Sequence, residues 1–600
     1  MRNYLIVLLI IATGSMLFAA GWFAFGEDQA YDVVVFGGEP EGVAAAVAAA
    51  RNGSKTLLVA EEERLGGLMT KGMLNFLDLS MDMDGNPLNT GIFQEWHERV
   101  GGQVGFDIEA AETAFHELVE GEENLELIAG AELEGIIKEG SQLVGVKVTD
   151  AEGKTVAISA KRFIDSTKDA DLAAEAGAPY YIGGEDVGVE DRRMAVTLMI
   201  HLKGVDWHGI QLAAKNGVFG GGGVNGNTAW GFGELHFDYT PHFKKETRLR
   251  GLNIMRQSDG TIVINALQVF GIDGLDPESR AKAIEIGKEE TGYIVEFLRE
   301  NFPGFENAEV ASYPEELYIR ETRHVKAEYQ LPLSDVWEFK DHWDSIGFGG
   351  YPVDEQATSI EDYGAVYSSP VQYAIPFRSL VPLEVDGLLV ASKASGYSSL
   401  AAGSARVLPA GMTTAQAAGT AAALSIEEET GFREMAADKA LIHELQERLK
   451  QQGVNLYPFE LAYPYQGEWF YPQLKALLNL GLIKGAYENK MPVDETMALK
   501  DFTLILNKGA SRIAGLAGSD AKPAVQLSED ETELQRDKAA ELVLQLTGEE
   551  LAGTDVWQQA ISAGLVDETL QERLQENRPL NGAEAYSLAA AAVEKLKSEQ

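Results

Sequence analysis

The side chains most able to do chemistry lie between residues 320 and 329 and at two later arginines. An arginine offers a rigid pair of N–H donors that matches a carboxylate or a phosphate. Histidine and tyrosine can donate or accept a proton beside such a group. These residues predict a site for an anionic group with acid–base chemistry close by. The set is Arg320, Arg323, His324, Tyr329, Arg378 and Arg406.

The same residues also allow a purely structural interpretation. Two acidic residues stand among them, Glu321 and Glu328, and either could pair with Arg320 or Arg323. Such ion-pair networks perturb side chains without any catalytic role. The sequence alone leaves both interpretations open.

The elements that would position these groups begin with a strand, a glycine turn and a helix. Residues 31–36 (YDVVVF) predict a buried strand, 41–51 a helix of small residues, and 55–60 (KTLLVA) a second strand. Together they have the length of one βαβ unit. Glu39 stands where a G-x-G-x-x-G turn has its middle glycine, so the turn departs from the usual phosphate-binding pattern.

The composition excludes several classes of function. The 600 residues hold 49 Lys and Arg against 93 Asp and Glu, a net charge of −44. Such a surface repels nucleic acid, so none is expected as a partner. The chain has no cysteine, which excludes disulfides, thiol nucleophiles, thiolate metal sites and disulfide-reductase flavin chemistry. Its histidines are scattered, so no metal site is expected.

The N-terminus predicts export. The first 26 residues carry one charge, Arg2, and a long apolar run from Leu5 to Phe25. Such a segment is typical of a secretory signal peptide, and the run is also long enough to be an uncleaved membrane anchor. Both alternatives predict a protein that is extracellular, cell-wall-associated or membrane-anchored.

The rest of the chain indicates an α/β protein with an interrupted nucleotide-binding domain. The middle part is less periodic, and its segment 217–233 predicts a flexible glycine-rich loop. Further strands are predicted at 125–130, 133–138, 143–149, 161–165 and 388–391, with helices at 169–176 and 411–425. The predicted domains are a signal peptide or anchor (1–27), the interrupted domain (28–180 and 376–456), an inserted substrate domain (181–375) and a C-terminal module (457–600).

Residues 457–600 contain an internal repeat. The segments 481–506 and 564–589 align from a shared Gly-Leu pair, and a tryptophan precedes each. A helix, a glycine turn and a second helix form a unit that stacks on its neighbour. The unit resembles the S-layer homology repeat, which implies an all-α module that binds cell-wall polymer. Two copies are visible instead of three, and both lack the arginine of the family's Thr-Arg-Ala-Glu signature. A purely structural helical module is the alternative.

Six ordered segments within residues 31–456 resemble a family of bacterial FAD-dependent oxidoreductases. They are GGEPEG (37–42), LGGLMTKG (65–72), FIDSTKDADLAAEAG (163–177), LYIRETRHVKAEYQL (317–331), YAIPFRSLVP (373–382) and GSARVLPAGMTTAQAAGTAAA (403–423). The resemblance implies a Rossmann-like FAD-binding domain with a doubly wound, mostly parallel sheet and an inserted α+β substrate domain. It implies FAD as cofactor and hydride transfer at the flavin N5. The implied catalytic residues are Arg320, Arg323, His324, Tyr329 and Arg378.

The resemblance also assigns the cofactor contacts. The first turn and the helix N-terminus would face the pyrophosphate. A second glycine pair, with a hydrogen bond from Thr70, would approach the flavin. A helix opened by residues 413–415 would stabilise negative charge on the reduced flavin. The implied cofactor-binding residues are Gly37, Gly38, Glu39, Pro40, Gly42, Glu61, Gly66, Gly67, Thr70, Asp165, Thr167, Lys168, Arg406, Thr413, Thr414 and Ala415.

Several cofactor positions depart from the family pattern. Glu39 brings a carboxylate towards two phosphates, and Lys168 stands where a glycine is usual. Lys393 replaces an arginine, Gln356 a histidine, and the predicted ribose acceptor, Glu61, comes one place late. Two accounts follow. Either FAD binds with Glu39 turned outward or neutralised by Lys168, or these two residues pair across the phosphate site.

The resulting prediction is an exported FAD-dependent oxidoreductase that moves a hydride between flavin N5 and a small organic substrate. Export favours carbohydrate or cell-wall-derived substrates, and cell-wall polymer as a partner. The alternative is a non-catalytic, flavin-free, wall-associated scaffold that keeps the flavoprotein fold.

Overall fold

The computed structural model describes residues 30–519, 523–529, 531–551 and 555–599. The predicted signal peptide or anchor therefore lies outside the described residues. Inside them, no helix combines the length and the apolar character needed to cross a bilayer.

The described ranges contain twenty strands, most of them short. In chain order they are β1 (Ala30–Phe36), β2 (Thr56–Val59), β3 (Leu125–Ile128), β4 (Glu132–Glu139), β5 (Gln142–Thr149), β6 (Thr155–Asp165), β7 (Tyr180–Ile182), β8 (Val196–Thr197), β9 (Ile200–Lys203), β10 (Gly222–Val224), β11 (Thr228–Gly231), β12 (Thr247–Arg256), β13 (Ile262–Val269), β14 (Glu309–Ser312), β15 (Arg323–Val325), β16 (Ser345–Gly349), β17 (Asp354–Glu355), β18 (Ala365–Val366), β19 (Tyr373–Pro376) and β20 (Leu388–Val390).

Helices are concentrated around the main sheet and at the C-terminus. They are α1 (Pro40–Arg51), α2 (Gly67–Thr70), α3 (Ile92–Arg99), α4 (Ile108–Glu120), α5 (Asp171–Glu175), α6 (Trp207–Lys215), α7 (Leu235–Asp238), α8 (Pro277–Asn301), α9 (Leu333–Trp337), α10 (Ser399–Ala405), α11 (Leu408–Glu427), α12 (Phe432–Ala437), α13 (Lys439–Gln451), α14 (Tyr471–Asn479), α15 (Leu499–Leu516), α16 (Arg536–Leu546), α17 (Val556–Ser562), α18 (Glu568–Arg573) and α19 (Gly582–Ser598). Short 3₁₀ helices span Glu185–Val187, Val218–Gly220 and Phe377–Leu380.

The main sheet is parallel where it carries the glycine turn. Its strand order is β3-β2-β1-β6-β5-β4, with β20 beside the end of β6. The strands β3, β2, β1, β6 and β20 pair in parallel, while β4 and β5 extend β6 as an antiparallel hairpin. The carboxyl ends of β1, β6 and β20 therefore meet at one edge, where open α/β sheets bind their ligands.

Two helices rich in small residues cover one face of this sheet. Helices α1 and α11 are buried along almost their whole length and lie directly against each other. A Cβ on Gly419 of α11 would collide with the carbonyl oxygen of Ala45 in α1. Small side chains therefore let the two backbones approach closely, which fixes the turn that precedes α1.

A second sheet is antiparallel, with the order β10-β11-β12-β13-β9-β14 and β8 beside β13. The prediction of a flexible loop at 217–233 was wrong, because β10 and β11 form a hairpin that pairs with β12. Glycine makes this hairpin possible, since a Cβ on Gly222 would collide with the carbonyl oxygen of Trp230. The glycine run thus permits close strand pairing.

The C-terminal helices share a hydrophobic core with the rest of the chain. Trp337 and Tyr397 lie in one buried cluster with Tyr471 and Phe502 of the C-terminal helices. The Ser334 N–H donates to the Asn479 side chain at 2.8 Å. We call residues 457–600 the helical module, and these contacts dock it firmly.

Three short segments of the helical module pair with one another. They lie just before the helices α15, α16 and α19 and bridge through the pairs Thr496–Asn581, Ala498–Glu533 and Gln535–Pro579. Two of these segments belong to the predicted repeat copies, and the segment before α16 lacks their Gly-Leu pair. Arg536 occupies the first position of α16, where the two predicted copies lack an arginine. Its guanidinium lies over the ring of Trp557 and donates to the Leu574 carbonyl at 3.0 Å.

Candidate active site

Two cavities meet at the carboxyl edge of the main sheet. The glycine-loop cavity, of about 440 Å³, is lined by residues that include Gly37, Gly38, Glu61, Gly67 and Thr167. The arginine cavity, of about 800 Å³, is lined by residues that include Leu74, Asp78, Tyr318, Arg320 and Arg406. Three charged residues line both cavities: Glu39, Lys168 and Glu316. A ligand that filled both would have to pass these three side chains.

Glycine shapes the turn between β1 and α1. Gly37 has a φ of +109° and donates its N–H to the Val59 carbonyl at 2.9 Å. A Cβ on Gly42 would collide with the Gly37 carbonyl oxygen, so both positions require glycine. Pro40 stands at the start of α1, and Glu39 precedes it with extended backbone and no side-chain capping bond. The positive end of the α1 dipole therefore faces the cavities.

The Glu39 carboxylate lies on the second glycine pair. It accepts the Leu68 N–H at 3.3 Å, and a Cβ on Gly67 would collide with it. Burial and the nearby charge of Glu316 raise the pKa of Glu39 to about 8, against the pull of Lys168. Burial also raises the pKa of Glu41 to about 7. This carboxylate thus occupies the cradle above the glycines and is poorly disposed to carry a charge there.

Lys168 pairs with Glu316 at 3.3 Å, whereas one of the two accounts drawn from the sequence paired it directly with Glu39. Burial alone would lower the pKa of Lys168, but the carboxylates of Glu316 and Glu39 outweigh it and raise that pKa. The predicted partner is therefore a close electrostatic neighbour, and Glu316 makes the contact. Glu316 lies outside the six matched segments, so no sequence signal indicated it.

Asp165 fixes the turn that presents Lys168. Its carboxylate accepts the Thr167 N–H at 2.9 Å, the Thr167 hydroxyl at 2.6 Å and the Ala173 N–H at 2.7 Å. Asp165 is fully buried, and burial raises its pKa to about 6. Asp165 is thus a positioning residue, while Thr167 lines the glycine-loop cavity.

The arginine cavity combines an apolar wall with unpaired cations. Arg320 is 4% exposed, and its Nη1 donates to the Ala195 carbonyl at 3.0 Å and the Thr197 hydroxyl at 3.1 Å. Burial lowers its pKa to about 10. Arg406 donates to the Tyr318 hydroxyl at 3.0 Å, and its buried Nε has no partner among the described residues. Both arginines therefore have N–H donors that a ligand could use.

Asp78 is an acid that the sequence did not single out. It lines the arginine cavity and is exposed to solvent, yet partial desolvation by the surrounding protein raises its pKa to about 6 despite nearby Arg406. Tyr318, also missed, lies under the Arg320 guanidinium at 3.9 Å from ring centre to Cζ. Tyr318 belongs to the matched segment at 317–331, so its neighbours could have indicated it. Asp78 follows a matched segment without belonging to one.

Arg323 and His324 belong to structural networks outside the arginine cavity. Arg323 pairs with Asp171 at 2.7 Å. His324 is 2% exposed, stacks on Tyr181 and lies 3.2 Å from Glu321. The geometry therefore favours the structural interpretation, in which both residues belong to ion-pair networks. The partners differ from the predicted ones, because Glu321 pairs with Arg192 at 2.5 Å.

Tyr329 and Arg378 lie together in another paired cluster. The Tyr329 hydroxyl donates to Asp335 at 2.5 Å, and Arg378 Nε donates to Asp344 at 2.8 Å. Arg378 also lies over the Tyr329 ring at 4.7 Å. Neither residue lines a cavity that contains the glycine turn.

Several residues predicted to contact the cofactor form their hydrogen bonds within the protein. The buried Thr70 hydroxyl donates to the Leu65 carbonyl at 2.9 Å. Thr413 and Thr414 donate to carbonyls one turn earlier, at 2.9 Å each, and Ala415 is buried in the core. The helix does not open there, because α11 already begins at Leu408 with a proline in its first turn. Pro409 has no N–H and the Gly411 N–H donates to the Val407 carbonyl at 3.0 Å, so the donors left in this first turn are the N–H groups of Leu408 and Ala410.

Comparison with known proteins assigns the chain to a family. The sequence profile described as FAD dependent oxidoreductase matches residues 32–449. The chain therefore belongs to the FAD dependent oxidoreductase family, and it is a FAD-dependent enzyme. A search of curated proteins finds no match.

Solved structures show a weaker likeness. A geranylgeranyl bacteriochlorophyll reductase-like protein from Thermoplasma acidophilum is 14% identical, with 89% of this chain and 99% of that chain covered and a TM-score of 0.36. A myxobacterial chondrochloren halogenase, an FAD-dependent halogenase, is 12% identical, covering 82% and 97%, with a TM-score of 0.36. A p-nitrophenol 4-monooxygenase from Pseudomonas putida is 10% identical, covering 72% and 91%, also with a TM-score of 0.36.

The residues around the two cavities suit FAD, with one carboxylate in the way. The glycine-loop cavity offers Glu61 and the α1 N-terminus, which match a ribose and a pyrophosphate. The arginine cavity adds an apolar wall that includes Leu68, Leu74 and Leu408, which matches a flavin ring. Glu39 lies between them over Gly67, so the dinucleotide requires that side chain to move.

Proposed function

We propose that this enzyme is an exported FAD-dependent oxidoreductase whose organic substrate carries a carboxylate. One observation supports this most directly: Arg320 and Arg406 line the cavity beside the cofactor edge without a carboxylate partner within 4 Å in the described residues. A guanidinium with spare N–H donors in a partly dry cavity is a strong site for a carboxylate. The carbon to be oxidised or reduced would then lie against the flavin ring, which itself rests on the apolar wall.

The chain's own residues divide the work around the reaction. Bound FAD supplies a ring that accepts or donates a hydride. Arg320 and Arg406 orient the substrate through its acid group. Asp78, with its pKa raised to about 6, takes the proton that the substrate loses when its hydroxyl or amine is oxidised. Leu74 and Leu408 limit the entry of water.

Lys168 would act on the cofactor side of the same arrangement. Its ammonium pairs with Glu316 and lies near Glu39, and an outward turn of Glu39 would open the space beside it to a phosphate. Family membership supports this account over the flavin-free alternative. In it, the Glu39 side chain leaves the glycine pair when FAD binds.

The test begins with the absorbance spectrum of the purified full-length protein. We expect a yellow flavin spectrum, or its appearance together with a thermal shift when FAD is added. The reduced spectrum should then form without oxygen on mixing with hydroxy acids, amino acids or uronic acids. Neutral alcohols and sugars of the same size serve as the control, and equal bleaching by both groups would refute the carboxylate requirement.

Export and wall association are part of the proposal. The apolar N-terminal run supports export. Wall association is proposed from the resemblance of the two repeat copies, and the three segments that bridge one another before α15, α16 and α19 are compatible with it. Because the module shares a core with the catalytic part, its binding is best tested on the full chain.

The wall experiment is a pull-down of the full-length protein on purified cell wall. Retention that is lost when the wall polymer is stripped from the peptidoglycan would support anchoring. Equal recovery in the unbound fraction with either preparation would show that the module is structural only.

A further inference from the structure

A cleft between the catalytic part and the helical module is lined by an excess of cations. This interface cleft, of about 970 Å³, is bounded by the strand pair β17–β18, the turn at residues 481–484 and helix α15. Four cationic side chains line it against two acidic ones. The excess stands out in a chain with a net charge of −44. The cations are Arg192, Lys484, Lys508 and Arg512.

Three of these cations lack an acidic partner. Among the described residues, no carboxylate lies within 4 Å of Lys484, Lys508 or Arg512, and the buried Nη1 of Arg512 has no hydrogen-bond partner. Burial lowers the pKa of Arg512 and nearby Arg192 lowers it further, against the opposing influence of Tyr367, Asp186 and Glu355. Cations that served only to hold the interface would be paired across it, so a different partner is indicated.

Close backbone packing fixes the floor of the cleft. A Cβ on Gly188 would collide with the Arg512 carbonyl, and a Cβ on Gly515 with the Gly188 carbonyl. Arg192 follows this turn and pairs with Glu321 at 2.5 Å and Glu355 at 3.1 Å, while its Nε remains without a partner. The two arginines are thus held at the floor, and the exposed Lys484 and Lys508 lie nearer to solvent.

The acidic lining does little to neutralise this charge. Burial raises the pKa of Glu355, and this carboxyl already pairs with Arg192 at 3.1 Å. The Asp362 carboxylate already accepts the Thr358 N–H at 2.9 Å and the Gly364 N–H at 2.9 Å. Tyr367, Gln356 and Thr358 add neutral polar groups to the walls.

We propose that the interface cleft binds a small organic polyanion with at least two carboxylate or phosphate groups. Arg512, Lys484 and Lys508 hold the acidic groups, and Arg192 contributes its free N–H. The site is separate from the cofactor edge, since its lining shares no residue with the glycine-loop or arginine cavity. The strand β17 lies between the two sites, because the backbone carbonyl of Asp354 accepts from Arg406 at 3.3 Å while Glu355 lines the cleft.

Calorimetric titration of the full-length, FAD-saturated protein tests this proposal. Citrate and inorganic pyrophosphate are the probes, at constant ionic strength, and they distinguish a carboxylate ligand from a phosphate ligand. We expect one site for at least one probe. Its affinity should fall at least tenfold in Arg512→Gln and in the double variant Lys484→Gln/Lys508→Gln.

Lys500→Gln is the matched control, because Lys500 lies on the same helix and pairs with Glu531 at the surface. It should keep the affinity of the natural protein. No binding of either probe, or the same affinity in all variants, would overturn the proposal. The double variant alters neither cavity at the cofactor edge. If the protein failed to bind FAD, the same comparison of variants on the FAD-free protein would therefore still test the interface cleft.

Discussion

Arg320 and Arg378 both belong to the predicted catalytic set, but they lie in opposite surroundings. Arg378 donates twice to Asp344, at 2.8 and 3.0 Å, and Asp344 is fully buried. Arg320 donates only to neutral oxygens and borders an open cavity. The first cation already has its counter-charge, and the second does not.

This difference shows which arginines are able to bind a ligand. Taking an arginine out of water is costly, and a buried carboxylate partner offsets the cost within the protein. An arginine that keeps only neutral partners can gain from a ligand that brings a negative charge. The same contrast separates Arg323, paired with Asp171, from Arg406 with its unpartnered Nε.

The largest expected effect tests this contrast at Arg320. Arg320→Ala should lower kcat/KM for an acidic substrate by about 100-fold or more, because truncating one partner of a buried charge pair costs about 3 kcal/mol. The rate of anaerobic flavin bleaching at several substrate concentrations measures this change.

Arg323→Ala is the matched control from the paired set. Its kcat/KM should stay within about threefold of the natural value, since it loses only a partly exposed ion pair. Equal losses in both variants, or none in Arg320→Ala at a preserved melting temperature, would contradict the assignment of the arginine cavity to the substrate.

Removing the carboxylate partner of Arg378 should lower the stability of the protein and not its affinity for FAD. Asp344→Ala leaves Arg378 without its buried partner, so we expect the free energy of unfolding to fall by about 3 kcal/mol. Denaturant titration measures the fall, and FAD affinity measured below the unfolding transition should be unchanged. If Asp344→Ala kept its normal stability but no longer bound FAD, the Arg378–Asp344 pair would belong to the cofactor site instead.

The strand–turn–helix unit at 30–59 could be predicted because its pattern is local. An apolar strand, a glycine with positive φ and a run of alanines specify β1 and α1 with little help from the rest of the chain. The glycine hairpin at 222–231 could not, since its partner strand β12 lies later in the sequence. Glycine allows a loop and a close strand pair equally well.

Charge partners were harder to predict than backbone elements. Lys168 finds Glu316 and Glu321 finds Arg192, and in each pair more than 100 residues separate the partners. Composition cannot select among 93 acidic residues. Asp78 was missed for a related reason: its role depends on its position beside Arg406 in the arginine cavity, which no spacing in the sequence encodes.

A smaller effect concerns Glu39. Its folded-state pKa of about 8 lies above its ordinary value of 4.5, so its contribution to stability is complete below pH 4.5 and is lost as the pH rises through 8. A charged Glu39 also repels the pyrophosphate. FAD should therefore bind about tenfold more weakly at pH 9 than at pH 6, as a repulsion of about 1.4 kcal/mol would give.

Flavin fluorescence quenching across this pH range measures the affinity. In Glu39→Gln the fall between pH 6 and pH 9 should be largely absent, and FAD should bind more tightly at pH 9 than in the natural protein. An identical pH profile in both proteins would show that another group, such as Glu41, controls FAD binding.

The smallest effect tests the water-exposed end of the cofactor site. Glu61 lines the glycine-loop cavity but remains exposed, so a hydrogen bond from its carboxylate to the ribose competes with water. Such a bond contributes about 0.5–1.5 kcal/mol, and Glu61→Gln should weaken FAD binding by about threefold. Glu63→Gln, two residues away and outside the cavity lining, is the control and should leave the affinity unchanged. A tenfold or greater loss of FAD affinity in Glu61→Gln would mean that bound FAD shields this end of the site from water. The glycine-loop cavity would then hold its ligand through buried partners, as the arginine cavity does, and the contrast between the two would disappear.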